Sequence, residues 1–341
     1  MKIFKIIFAN GFVILLALVL TLACSTEGVI QQVLGFSTQP PVFIDCRPVS
    51  PTELVFRFSH PVTVSSLNFD LGYEAVVVEE GTEVRVAFSR VPEEGRRITA
   101  DIIVEDSGRN TLNVIVPFRA RNERMPKIVF NELRLDYSNP RIEFIEFYVL
   151  EGGNLGAMRL FIAHQSMEIP FYEFPPAEVK TGDYIVLHLR TRDDSAVDET
   201  GDNLALSGGD GARNDARDLW IPGNRKLLHT PNGIWLMDQD DNILDALLLS
   251  QTPASDVSNR TFMAAAEFLG KRNAWLPVSG EAEAGWVPTP SDAILSAGTT
   301  ATRTLNRDES LPHAPRGSNW YVTVTSGQTP GTANNTRRYG Q

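Results

Sequence analysis

Six carboxylates, Asp193, Asp194, Asp198, Glu199, Asp202 and Asp210, fall in one stretch interspersed with glycine and asparagine. Calcium takes roughly six to eight oxygen ligands from this kind of loop. Asp193, Asp194, Asp198 and Asp202 are therefore candidate calcium ligands. The competing expectation is a solvated, flexible insert, because a run of like charge repels itself without its ion. A second group, Asp238, Asp240, Asn242 and Asp245, opens like a calcium loop. Ile243 stands where such a loop needs glycine, and Leu249 where it needs a bidentate glutamate, so a polar hairpin turn is expected there instead. The five histidines, His60, His164, His188, His229 and His313, show no metal-ligand spacing. No G-x-S-x-G elbow and no phosphate-binding glycine loop is present. His188 is expected in a strand, and His60, before Pro61, in a turn. Glu143 and Glu146 have odd spacing, which puts them on opposite faces of one strand and precludes an acid–base pair.

Aromatic residues give the other signal. Trp220, Trp235, Trp275, Trp286 and Trp320 all lie in the second half of the chain. Trp235 and Trp320 sit in alternating strands and are expected in the core. Trp275 and Trp286 flank a Pro/Gly-rich segment and are the candidate interface residues, since tryptophan is enriched at binding surfaces.

Lys2 and Lys5 precede an apolar run from Ile6 to Leu22, followed by Ala23 and Cys24. This is the pattern of a secretory signal. Leu20-Thr21-Leu22-Ala23-Cys24 resembles the bacterial lipobox, with Thr21 at the position usually held by leucine. The resemblance implies cleavage after Ala23 and acylation (diacylglyceryl and palmitate-type chains) on the Cys24 sulfur. The alternatives are an uncleaved anchor, since the run approaches the ~20 residues of a spanning helix, and an ordinary signal peptide cut elsewhere. Two or three acyl chains would hold the protein stably, where one is marginal.

The chain has 341 residues, enough for two domains beyond the signal. Its net charge of −11 argues against nucleic acid and against lying flat on anionic lipid. Of its two cysteines, Cys46 has no intramolecular partner once Cys24 is acylated. It sits in an apolar strand and is expected to be a buried, inert thiol.

Residues 24–39 read as a tether, and residues 40–121 as all β. Leu54, Phe56 and Phe58 alternate with polar neighbours, as do Val84, Val86 and Phe88; Ala100, Ile102 and Val104 share a face. Turns separate the runs at Glu79-Glu80-Gly81-Thr82, Pro92-Glu93-Glu94-Gly95 and Ser107-Gly108-Arg109-Asn110. A small β-sandwich follows. Ser50-Pro51-Thr52-Glu53-Leu54 with Phe58-Ser59-His60-Pro61-Val62 resembles the opening of a bacterial immunoglobulin-like domain. Residues 122–126 are expected to be a linker.

The second domain spans 127–335, before a tail at 336–341. Ile128-Val129-Phe130-Asn131-Glu132 and Glu143-Phe144-Ile145-Glu146-Phe147-Tyr148 open it. Asn154–Leu160, Phe174-Pro175-Pro176, Gly182–Leu187, Gly233–Asp238, Asn242–Asp245, Asn319–Val322 and Thr329–Asn334 follow in order. Together they resemble a lamin-tail domain. The resemblance implies an immunoglobulin-like β-sandwich and a structural role for Glu146. Two inserts depart from that pattern, near 191–219 and 255–298. The second holds a short helix, with Phe262, Ala265, Ala266 and Leu269 at helical spacing, Ser258 or Asn259 as cap and Gly270 as terminator.

The expected fold class is thus all-β, with two immunoglobulin-like β-sandwich domains in tandem and one short helical insert in the second. The expected function is a non-catalytic binding module without a cofactor. The lipid bilayer is one partner, through acylated Cys24, and a protein, glycan or cell-envelope component is the other. Its place is the bacterial cell envelope, outside the cytoplasm, on the inner or outer membrane. A metal-assisted hydrolase using the acidic insert and a structural envelope spacer are the alternatives.

Overall fold

The computed structural model describes residues 39–254 and 258–340. The signal segment, Cys24 and the tether up to residue 38 lie outside the described residues. The chain is all-β, a tandem of β-sandwich units, and divides into two compact parts. The first runs to Pro92 and resumes over Arg97–Ala120; the second takes Glu93–Arg96 and everything from Arg121.

The first unit is built from β1 (Phe43–Pro48), β2 (Glu53–Phe69), β3 (Ala75–Glu79), β4 (Gly81–Phe88), β5 (Arg97–Asp106) and β6 (Thr111–Arg119). The sheet order is β3-β4-β2-β5-β6, with β1 also on β2. Strand β2 has 17 residues and changes partners midway. Residues 53–57 pair with β4 and with β1, and Val62–Phe69 pair with β5. The change falls at Ser59-His60-Pro61, where proline has no N–H to donate. His60 therefore marks a bend within a strand rather than a turn. This strand joins both halves of the fold around one core, made by Leu54, Phe56, Phe58, Val84, Val86, Ile98, Ile102 and Val104. These are the alternating apolar positions of the sequence. Cys46 is a free, partly exposed thiol on β1, and burial pushes its pKa well above the ordinary thiol range.

The second unit has β7 (Lys127–Arg134), β8 (Phe144–Glu151), β9 (Gly153–Asn154), β10 (Arg159–Ile162), β11 (Tyr172–Glu173), β12 (Glu178–Val179), β13 (Tyr184–His188), β14 (Arg217–Trp220), β15 (Asn232–Met237), β16 (Ile243–Ser250), α1 (Arg260–Lys271), β17 (Ile294–Leu295), β18 (Leu305–Arg307) and β19 (Trp320–Val322). One sheet has the order β14-β13-β8-β7-β18-β19 and the other β11-β10-β15-β16-β17. Their facing sides meet in a core that includes Phe130, Phe147, Leu160, Ile185, Leu187, Trp235 and Leu247.

Residues 122–126 are not a free linker. Asn122 is buried, and its amide donates to the carbonyls of Asn154 (2.7 Å) and Gly156 (2.8 Å). The first insert contains β14, which pairs in parallel with β13. The second contains β17, parallel to β16. Helix α1 is capped by Asn259, whose Oδ1 accepts the Phe262 N–H at 2.9 Å. Its buried face is Phe262, Ala265, Ala266 and Leu269, laid over the second sheet. Gly233 on β15 permits this contact: a Cβ there would lie 2.4 Å from the Ala265 Cβ. Gly270 lies inside the helix rather than ending it. A Cβ at that position would come within 3.0 Å of the segment Trp286–Pro288.

Candidate functional site

The six-stranded sheet of the second unit has one apolar face toward the core and one polar face. Cross-strand register orders the polar face in two rows. Trp220, His188, Phe144 and Arg134 are successive partners on β14, β13, β8 and β7. Two residues along, Asp218, Val186, Glu146, Glu132 and Asn306 face one another from β14 to β18. Period-two geometry puts both rows on the same side.

The Glu132–Glu146 end is a closed network. Glu132 accepts the Thr304 hydroxyl (2.5 Å) and the Thr329 N–H (3.0 Å). Glu146 accepts from the Asn131 amide (2.9 Å) and from the Gly331 N–H (2.6 Å). The Asn334 amide donates to the carbonyls of Asn131 (3.1 Å) and Arg307 (2.9 Å). Both glutamates are fully buried. Burial raises the Glu132 pKa to about 7, against the hydrogen bonds that favour the anion. Glu146 is raised by burial and by the neighbouring Glu132 charge. Glu143 lies elsewhere, in a buried bidentate pair with Arg190 (2.6 and 2.7 Å). It shares no site with Glu146.

At the other end of the face, His188 Nε2 and Asp218 Oδ1 are 2.7 Å apart, both buried. The imidazole stacks on Trp220 with centroids 4.0 Å apart. Asp218 also accepts the Arg213 N–H (2.6 Å). Beside His188 is a cavity of about 310 Å³. His188 is in a strand, as its sequence context predicts. Asp218 is thirty positions away on a parallel strand, and no spacing rule connects the two.

The acidic insert is not a flexible loop. Glu199 is buried and accepts the N–H groups of Leu206, Ser207 and Asp218. Arg217 donates to the carbonyls of Glu199, Gly201 and Glu178. The four candidate calcium ligands point to separate tasks. Asp193 accepts from Ser195, and Asp198 accepts the Trp220 N–H (2.7 Å). Asp194 and Asp202 are exposed. Among the described residues no three Asp, Glu, His or Cys side chains are grouped to hold a metal ion. The cluster at Asp238 is the β15–β16 hairpin turn: Asp238 Oδ1 accepts the N–H groups of Asp240 (2.8 Å) and Asn242 (2.9 Å).

Trp275 is a core residue, not an interface residue. It is fully buried, and its indole N–H donates to the Asp292 carbonyl (3.0 Å). Trp235 is also core, stacked on Phe161 at 5.5 Å. Trp320 is half-buried against the core. Trp286 is half-buried and lines a groove of about 930 Å³ along α1, with Met263, Glu267, Lys271 and Val287.

Residues 126–322, more than half of the chain, match a family model described as "TP_1001_2nd: protein second domain". An uncharacterized protein of Treponema pallidum (strain Nichols) is 29% identical over 204 residues, 56% of this chain and 50% of that protein. The chain thus spans about half the length of this relative. The matched region carries the whole six-stranded sheet, the α1 groove and His188 with all of its cavity lining except Gln328 and Pro330. On that match, the chain belongs to the TP_1001_2nd family.

Proposed function

We propose that this protein is a lipid-anchored, extracytoplasmic binding module of the bacterial envelope, acylated at Cys24 and without catalytic activity. The observation that carries the reading is the position of Ala23-Cys24, where the apolar run stops. The α1 groove supplies a surface for a protein or glycan partner: Trp286 and Val287 face the half-exposed Met263 across it. Exposed apolar side chains around a concavity are the usual composition of a recognition site. The reading also takes the second unit as lamin-tail-like. In its support, the motif residues Asn131, Glu132, Glu146, Thr329, Gly331 and Asn334 meet in one hydrogen-bonded network.

Intact mass of the protein extracted from its native membrane tests the anchor. The expected mass corresponds to cleavage after Ala23 plus acyl chains, and Cys24→Ala loses both. An unacylated protein retaining residues 1–23 would replace the lipoprotein reading with a spanning anchor.

A further inference from the structure

Three buried polar atoms without a hydrogen-bond partner border one cavity: His188 Nδ1, Arg134 Nε and Gln328 Oε1. A buried polar group left unpaired is destabilising, so the convergence of three on one space points to a ligand that pairs them. His188 and Arg134 are 1% and 6% exposed. With Nε2 held by Asp218, the other edge of the imidazole faces Gly211, where a Cβ would lie 3.6 Å from Cε1. Gly211 itself lines the cavity.

The charges around this space are unbalanced. Arg134 donates one bond to the Ile142 carbonyl (3.1 Å), lies over the Phe144 ring and has no ion pair among the described residues, though the charges of Glu132 and Glu143 act on it from a distance. Arg141 lines the cavity with no carboxylate partner among the described residues. Arg213 lines it too and holds Asp215 at 3.2 Å. The cavity's one carboxylate, Asp210, is already paired with Arg192. A chain of net charge −11 thus keeps two guanidiniums without an ion pair among the described residues beside one cavity. Guanidinium forks match carboxylates. The remaining open atoms, His188 Nδ1 and Gln328 Oε1, are acceptors when Asp218 fixes the proton on Nε2, and they call for hydroxyl donors. Pro140, Ile142 and Pro330 give an apolar wall.

We propose that this cavity binds a small hydroxycarboxylate with the chemistry of a hexuronic acid. Its carboxylate lies on Arg134 and Arg141, its hydroxyls donate to His188 Nδ1 and Gln328 Oε1, and its ring C–H face lies on the apolar wall. The site is separate from the α1 groove and from the anchor, so it stands or falls apart from them.

Titration calorimetry of the full chain with glucuronate tests the assignment. Saturable binding is expected, with no binding of glucose, acetate or inorganic phosphate. Arg141→Gln, an exposed position, is expected to weaken binding by about tenfold, and His188→Gln to do the same while keeping the bond to Asp218. An oligosaccharide ending in glucuronate separates the two sources: binding equal to that of the free acid marks a glycan terminus, and loss marks the free acid. Absence of glucuronate binding, equal binding of glucose or phosphate, or an unchanged affinity in Arg141→Gln overturns the proposal.

Discussion

Glu132 and Glu146 show how a single buried carboxyl links the fold to pH. The Glu132 pKa, ordinarily near 4.5, is raised by burial to about 7. The folded protein therefore holds a proton that the unfolded chain has released across this interval. The contribution of this carboxyl to stability is fully present below pH 4.5 and is lost as pH rises through 7. Glu146 is raised in the same direction, by burial and by the Glu132 charge, so the loss belongs to the pair. Thermal midpoints should therefore fall between pH 5 and pH 8 (values set by the window of about 4.5 to 7). Glu132→Gln should flatten that profile, because an amide can still accept from the Thr329 N–H and bond the Thr304 hydroxyl. A profile of the same slope in the variant would show that another group holds the proton.

At the scale of elements, α1 and the segment after it separate two tryptophans that the sequence treats alike. Trp275 and Trp286 both flank a Pro/Gly-rich stretch. The first fills the core and the second lines a groove. Trp275→Ala should cost about 3–5 kcal/mol, whereas Trp286→Ala should cost on the order of 1 kcal/mol, for partial burial only. Urea unfolding of the two variants measures the difference, and equal losses would mean that the groove is part of the core. The alternating strands of the first unit and the helix at Phe262–Leu269 were legible because their periodicity is local. The parallel strands β14 and β17 were not. They are only four and two residues long, too short to carry a period, and their partners lie far back in sequence. Asp218 is hidden for the same reason, and with it the hydrogen bond to His188. Trp275 turns into the core, not to an interface, and composition around a residue does not reveal which way its side chain turns. The acidic insert reads as a loop in sequence because its buried anchor, Glu199, is indistinguishable there from its exposed neighbours.

For the whole molecule, the second unit depends on contacts between its first strands and residues 329–334. The buried carboxylates of Glu132 and Glu146 take donors from Thr329 and Gly331, and Asn334 bonds back to Asn131. A chain ending at Gln328 keeps every strand named above but leaves both glutamates short of donors in the interior. Such a form should be degraded by trypsin or thermolysin under conditions where the full chain persists, and equal survival would show that the network is dispensable. Protein chains emerge from the ribosome in order, and earlier segments fold first. Here β7 and β8 are made early and wait nearly two hundred residues for the Thr329 N–H that satisfies Glu132. The unit therefore contains a test of its own completion: a nascent or prematurely terminated chain remains recognisable to quality-control proteases until its last motif has arrived.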